Sequence, residues 1–287
     1  MAADDKSLPL RDSPYRIPQL GFGVYKALDD VCYNACLAAF KAGYRHIDSA
    51  QMYANEAEVG RAVNDSGLKR SEIFVTTKIM FPGQDEKSTY EKVMESVKKA
   101  GGEGNGGHEK PYVDLFLVHN PNGGRGAREM MWKAIERAKK EGYVRNIGVS
   151  NYGKPHIEEM KEYTQDWPPA VNQIELHPWC QQRKTVEYCH SQGIVIQAYC
   201  PLVRNRRADD PTLNALVKKY PGKTQAQLLI KYALQKGWVP LPKTATPSRI
   251  EENADVYGWE ISEEDMHTFD ALDEGRRGSI VTFCAED

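Results

Sequence analysis

Short runs of apolar residues alternate along the chain with segments whose apolar positions recur every three or four residues. Eight runs of the first kind stand at 19–25, 44–47, 73–77, 113–118, 144–149, 171–176, 194–199 and 238–241. Most are close to continuous in Val, Ile, Leu and aromatic residues, the pattern of strands covered on both faces. Between them the period lengthens. Tyr90, Val93, Met94 and Val97 fall at i, i+3, i+4 and i+7, and Met131, Ala134, Ile135 and Ala138 repeat the spacing. So do Leu213, Leu216, Val217 and Tyr220, and then Ala226, Leu229, Ile230 and Ala233. Each set lays one apolar stripe along a helix. Thr224 with Gln227 makes a capping box ahead of the last helix, Gly237 ends it, and Ser262 with Asp265 marks a further helix start.

This alternation predicts an α/β protein with a parallel sheet and crossover helices. Eight units in 287 residues fit a closed (β/α)8 TIM barrel better than an open, doubly wound sheet. Residues 1–287 therefore read as a single barrel domain. Pro9, Pro14 and Pro18 precede the first barrel strand. Residues 8–18 are expected to form a short hairpin across the barrel bottom.

Charge and composition narrow the function. Lys plus Arg number 38 and Asp plus Glu 40, a net charge of −2. That balance offers no field for nucleic acid or an anionic membrane surface. Mean hydropathy is −0.62, and no run approaches the roughly 20 apolar residues of a membrane span. The polar, acidic N-terminus carries no signal-peptide pattern, so a cytoplasmic protein is expected. The six cysteines lack metal-site spacing and read as reduced thiols. Glu175 and His177 share a strand face, but no third ligand lies nearby, so no metal is expected. Gly102 through Gly107 matches GxGxxG. It follows a helix and precedes a strand, the reverse of the dinucleotide fingerprint, and reads as a turn.

Barrel chemistry sits at the C-terminal ends of the strands. Asp48 and Tyr53 follow the second run, Lys78 the third and His119 the fourth. A phenol has an ordinary pKa of about 10, too high for easy acid–base work near neutrality. A cation within reach lowers it, and Lys78 is the candidate. Asp48 would neutralise and orient Lys78. His119 would position a substrate carbonyl oxygen, and Tyr53 would protonate it. The remaining strand ends suit a ligand. Ser150, Asn151 and Gln173 can pair with a carboxamide, and Tyr199 offers a flat ring for a heterocycle. Lys243, Thr244 and Arg249 surround a helix start and suit a phosphate. The basic loop 204–207 could clamp a pyrophosphate or attract an acidic substrate.

These residues resemble the aldo-keto reductase family. The stretch 43–60, with Asp48, Tyr53, Glu56 and Gly60, is similar to the family's first signature. Residues 144–152 and 169–178 are similar to its second region, and 241–253 to its third. The match runs from about residue 16 to about residue 272. The resemblance is to a short-tailed, aldose-reductase-like member. It implies hydride transfer from NADPH to a small-molecule aldehyde or ketone, in a monomer. Asp48, Tyr53, Lys78 and His119 would be the catalytic tetrad, with Tyr53 the general acid. Ser150, Asn151 and Gln173 would hold the nicotinamide and Tyr199 would stack on it. Gly23, Val24, Tyr25, Pro201 and Leu202 would lie along the cofactor. Lys243, Thr244 and Arg249 would grip its 2′-phosphate, and Glu252 and Asn253 its adenine. Tyr25, Met80 and Asn120 stand where many relatives carry Trp, so the substrate pocket is expected to be less aromatic and more polar. Some relatives serve as cofactor-sensing regulatory subunits, the alternative reading. A barrel lyase with Lys78 as a Schiff base is a third, disfavoured by Asp48.

Overall fold

The computed structural model of the chain describes residues 6–102 and 110–281. A hairpin of β1 (Ser7–Pro9) and β2 (Arg16–Pro18) comes first. Eight barrel strands follow: β3 (Phe22–Gly23), β4 (His46–Asp48), β5 (Phe74–Ile79), β6 (Val113–Val118), β7 (Val144–Ser150), β8 (Val171–Glu175), β9 (Val195–Tyr199) and β10 (Val239–Pro240). All neighbours pair in parallel and in sequence order. The ring closes where Gly21 N donates to Pro240 O at 3.1 Å and Gly23 N to Pro242 O at 3.0 Å.

Each apolar run holds one strand, but the first and last hold only two residues each. Their seam explains the difference. Pro240 and Pro242 have no N–H to give, so β10 meets β3 through carbonyls alone. The approach is close. A Cβ added at Gly21 would stand 2.5 Å from the Leu241 side chain.

Helices α1 (Asp29–Lys41), α2 (Glu56–Asp65), α3 (Glu86–Ala100), α4 (Gly124–Lys140), α5 (Lys154–Glu159) and α6 (Arg183–Ser191) connect successive strands. The link from β9 to β10 carries two, α7 (Pro211–Lys219) and α8 (Gln225–Gln235), which accounts for the two adjacent helical patterns. Helices α9 (Pro247–Ala254) and α10 (Glu263–Asp270) finish the ring. The expected caps form: Thr224 Oγ1 accepts from Gln227 N, and Ser262 Oγ from Asp265 N.

The core has two shells. The larger lies between strands and helices. The smaller fills the barrel interior, where Leu10 and Ile17 of the hairpin pack with Phe74, Leu115, Leu117, Val171, Val239 and Leu241. The hairpin therefore plugs the bottom, and the opposite end is left open for a site. Strand alternation divides the residues between shells. In β8, Val171 faces the interior and Ile174 the helices.

Among the described residues no helix is long and apolar enough to cross a membrane. Among the described residues no disulfide joins any of Cys32, Cys36, Cys180, Cys189 and Cys200. Cys284 and residues 103–107 of the GxGxxG stretch lie outside the described residues.

Candidate active site

Three adjacent strands bring the tetrad together. Asp48 ends β4, Lys78 lies near the end of β5, and His119 follows β6. Tyr53 closes a single helical turn, Gln51–Tyr53, just after β4. Lys78 is wholly buried, and its Nζ donates to Asp48 Oδ1 at 2.7 Å and to Ser49 O at 2.8 Å. Asp48 Oδ2 accepts from Gln173 Nε2 at 2.8 Å. Gln173 Nε2 also donates to Gln197 Oε1 at 2.9 Å. Gln197 Nε2 lies 3.4 Å from His46 Nε2, which is 3.0 Å from Thr76 Oγ1. A chain of polar contacts thus crosses the barrel interior beneath the mouth and fixes the carboxylate that holds Lys78.

The Tyr53 ring sits over this layer, its centroid 5.0 Å from Lys78 Nζ. It meets the His119 ring edge to face at 5.8 Å and the Tyr25 ring at 5.0 Å. Burial pushes the Tyr53 phenol well above its ordinary value, the Asp48 charge adds to the shift, and the Arg204 guanidinium opposes it. This corrects the expectation that Lys78 would bring the phenol down. The ammonium already spends two of its protons on Asp48 and Ser49. Burial lowers Lys78 itself, against the Asp48 charge. Burial, with the Lys78 charge, takes His119 down to about 3, so its imidazole is neutral near pH 7.

Above this floor opens a cavity of about 370 Å³. Asp48, Tyr53 and His119 line it, as do Gly23, Tyr25, Ser150, Asn151, Gln173, Tyr199, Pro201 and Leu202. Lys78 stands one layer behind. Ser150 Oγ donates to Gln173 O, and Tyr199 OH donates to Asn151 Oδ1 at 2.8 Å. Met80 and Asn120 also line the cavity, but Asn120 is not a free polar group. Its amide donates to Met80 Sδ at 2.7 Å and accepts from Asn122 N at 2.8 Å. These two bonds use part of the amide's hydrogen-bonding capacity.

A second cavity of about 560 Å³ shares Leu202, Arg204 and Lys243 with the first. Thr244, Arg249, Glu252 and Asn253 line it, beside the start of α9. Asn253 is buried, and its Oδ1 has no hydrogen-bond partner among the described residues.

One residue expected along the cofactor turns its side chain away from both cavities. Val24 is wholly buried in the larger core and lines neither cavity. Its neighbours Gly23 and Tyr25 face the mouth, so backbone alternation turns Val24 inward. Three groups escaped the sequence reading. Gln197 is a lone polar residue in an apolar run, which was the available signal. Arg204 was visible only as part of a basic loop, and it joins the two cavities. Cys200 lines the first cavity with a left-handed backbone, φ 52°. Glu175 and His177 pair at 2.9 Å, and no group of three or more potential metal ligands forms among the described residues.

Comparison with known proteins agrees with this geometry. The model of the aldo/keto reductase family matches residues 23–274. An uncharacterized oxidoreductase of Schizosaccharomyces pombe is 44% identical over 90% of this chain and 91% of its own. Glyoxal reductase of Bacillus subtilis is 36% identical, covering 91% of each. Among solved structures, an aldo/keto reductase from Brucella melitensis superposes with a TM-score of 0.85 at 36% identity, over 93% of this chain and 99% of the other. A Bombyx mori aldo-keto reductase in complex with NADP gives 0.83 at 30% identity, over 95% and 94%. The chain belongs to the aldo/keto reductase family and is an oxidoreductase with that family's barrel.

Proposed function

We propose that the protein reduces aldehydes or ketones to alcohols with NADPH, with Tyr53 as the proton donor. The observation that carries this reading is the phenol held above a buried Lys78–Asp48 pair, at the floor of a cavity that runs into a second, basic one.

The two cavities fit a dinucleotide. Ser150, Asn151 and Gln173 offer amide and hydroxyl groups to a carboxamide beside the Tyr199 ring. Lys243, Thr244 and Arg249 offer two cations and a hydroxyl at a helix start, a setting for a phosphate. The unpaired Asn253 Oδ1 is an acceptor for a purine amino group. An exposed Arg249 favours the cofactor that carries a 2′-phosphate. When bound, the reduced nicotinamide supplies the hydride.

The residues of the chain supply the rest. The raised pKa keeps the proton on Tyr53 until a carbonyl oxygen gathers negative charge. Lys78 then stabilises the phenolate left behind, and Asp48 keeps the ammonium in register. Neutral His119 can offer an N–H to the same oxygen and so orient the carbonyl. With its pKa raised, Tyr53 is protonated and ready to act as a donor near neutrality, and alcohol oxidation, which needs the phenolate, should quicken as pH rises.

The test is initial-rate oxidation of NADPH, with NADH in parallel, across aliphatic, aromatic and sugar aldehydes. Small dicarbonyls join the panel because one relative is named a glyoxal reductase. Tyr53→Phe should lose about 100-fold or more in kcat, with the NADPH Kd little changed. Near wild-type turnover in that variant would remove Tyr53 from its role. Tight NADPH binding by the wild type with no turnover anywhere in the panel would favour a cofactor-sensing role.

A further inference from the structure

Glu175 ends β8 in the barrel mouth, wholly buried, yet it lines neither cavity and takes no part in the proton transfer above. A buried carboxylate needs partners. Here they come from the far end of the chain. The backbone N–H of Ile280 donates to Oε1 and that of Val281 to Oε2, the latter at 2.8 Å. His177 Nε2 meets Oε1 at 2.9 Å and is itself wholly enclosed. Beyond these bonds the two tail residues diverge. Ile280 packs on the main core, and Val281 lines the carbonyl cavity.

The loop after β8 ties down the approach as well. Glu274 N donates to Trp179 O at 3.0 Å, and Asp273 accepts from Gln181 N at 3.2 Å and Arg183 Nε at 2.8 Å. Residues 273–281 therefore form a strap across the mouth, and its last two amides end on one carboxylate.

We propose that Glu175, oriented by His177, is a positioning residue for substrate selection: it seats the backbone at 280–281 so that Val281 forms a wall of the carbonyl compartment. The proposal rests on the carbonyl-reductase reading for its kinetic readout alone. A glutamine at 175 has one acceptor, and its NH2 would face a backbone N–H. In Glu175→Gln, amide hydrogen exchange at 280 and 281 should quicken about tenfold or more. Losing an apolar wall shifts preference by roughly 10-fold per contact. The kcat/KM ratio of naphthaldehyde to propanal should rise by that order, through KM for propanal at unchanged kcat. The NADPH Kd should stay within about twofold. Val281→Ala should move the ratio the same way, and the double variant should add little to the larger single effect, because both act through one wall.

Unchanged exchange in Glu175→Gln would show that the carboxylate is not the tether. Faster exchange with an unmoved ratio, or additive effects in the double variant, would show that the tether does not shape the pocket. Should Glu175→Gln fail to fold, Glu175→Asp keeps the charge, shortens the reach and carries the same expectations. A wild type without turnover of either aldehyde would count against the reductase reading, and the exchange measurement would still report on the tether.

Discussion

The two ends of the barrel turn the chain in opposite ways. At the bottom, where helices lead back into strands, left-handed backbone falls on glycine, as at Gly237 before β10 (φ 76°). At the mouth, where strands lead into helices, it falls mostly on residues with side chains: Lys26, Ala54, Asn151, Gln182, Cys200 and the run 203–205, with φ between 39° and 62°. Gly123 and Gly124, after β6, are the exceptions there. Such a backbone costs a residue with a Cβ about 1–2 kcal/mol. Turn bonds such as Ala54 N to Gln51 O at 3.1 Å offset part of that cost, and contacts from other segments add to them. Asn55 shows how. Its amide donates to Val24 O and Ala27 O and accepts from Ser49 Oγ, bracing the turn that carries Tyr53. Strain gathers where the chemistry is, and the rest of the fold holds it there.

The largest test of this contrast removes the pair under the mouth. Lys78→Met leaves Asp48 buried with only the Gln173 amide to answer it. Breaking a buried pair costs about 3–5 kcal/mol. Turnover should also fall by about 100-fold or more, since the phenolate left by proton transfer loses its nearest cation. Urea unfolding and NADPH oxidation measure the two effects. A stable variant with near wild-type rates would mean that the mouth is not organised around this pair.

The same contrast sets what the sequence could reveal. The eight strands are legible because burial on both faces writes a continuous apolar run, and the bottom turns are legible because their glycines are local signals. The tetrad is legible because barrel topology sends the polar residues that end a run to one rim. Strand lengths at the seam are not legible, since Pro240 and Pro242 act on a partner strand more than 200 residues away in sequence. The pKa direction of Tyr53 is hidden for a similar reason. Which atoms take up the Lys78 protons depends on how β4 and β5 register. The partners of the buried Glu175 are amides about a hundred residues further on. The burial of the Val24 side chain is legible, because period-two alternation between Gly23 and Tyr25 turns it away from the mouth.

A smaller effect sharpens the picture within the mouth. Asp48 and Lys78 beneath the first cavity are paired with each other, whereas Arg249, which lines the second, is exposed and belongs to no ion pair among the described residues. A charge-assisted bond to a phosphate is worth about 1.5–3 kcal/mol. Arg249→Ala should therefore raise the NADPH Kd by roughly 10- to 100-fold and leave NADH almost untouched, with the fold unaffected. Fluorescence titration with both cofactors reads this directly. An equal loss for the two would mean that Arg249 does not meet the 2′-phosphate.

The smallest effects compare the two kinds of turn themselves. At Gly237 an added Cβ would meet nothing within 4 Å, so Gly237→Ala isolates the backbone cost. That cost is about 1–2 kcal/mol, a fall in Tm of roughly 2–4 °C for a chain of this size. Turnover should not change, because the site lies at the other end. Ala54→Gly is the reverse experiment. Glycine relieves the left-handed strain at φ 53°, but it also frees the unfolded chain by about 0.4–1 kcal/mol. The two terms nearly cancel, so Tm should move little. Turnover should drop instead, because Ala54 fixes the turn directly after Tyr53 and a looser turn holds the phenol less firmly over Lys78. If Ala54→Gly left kcat intact and lowered Tm as much as Gly237→Ala does, the mouth turns would be ordinary turns, and their left-handed residues would have no part in placing the acid.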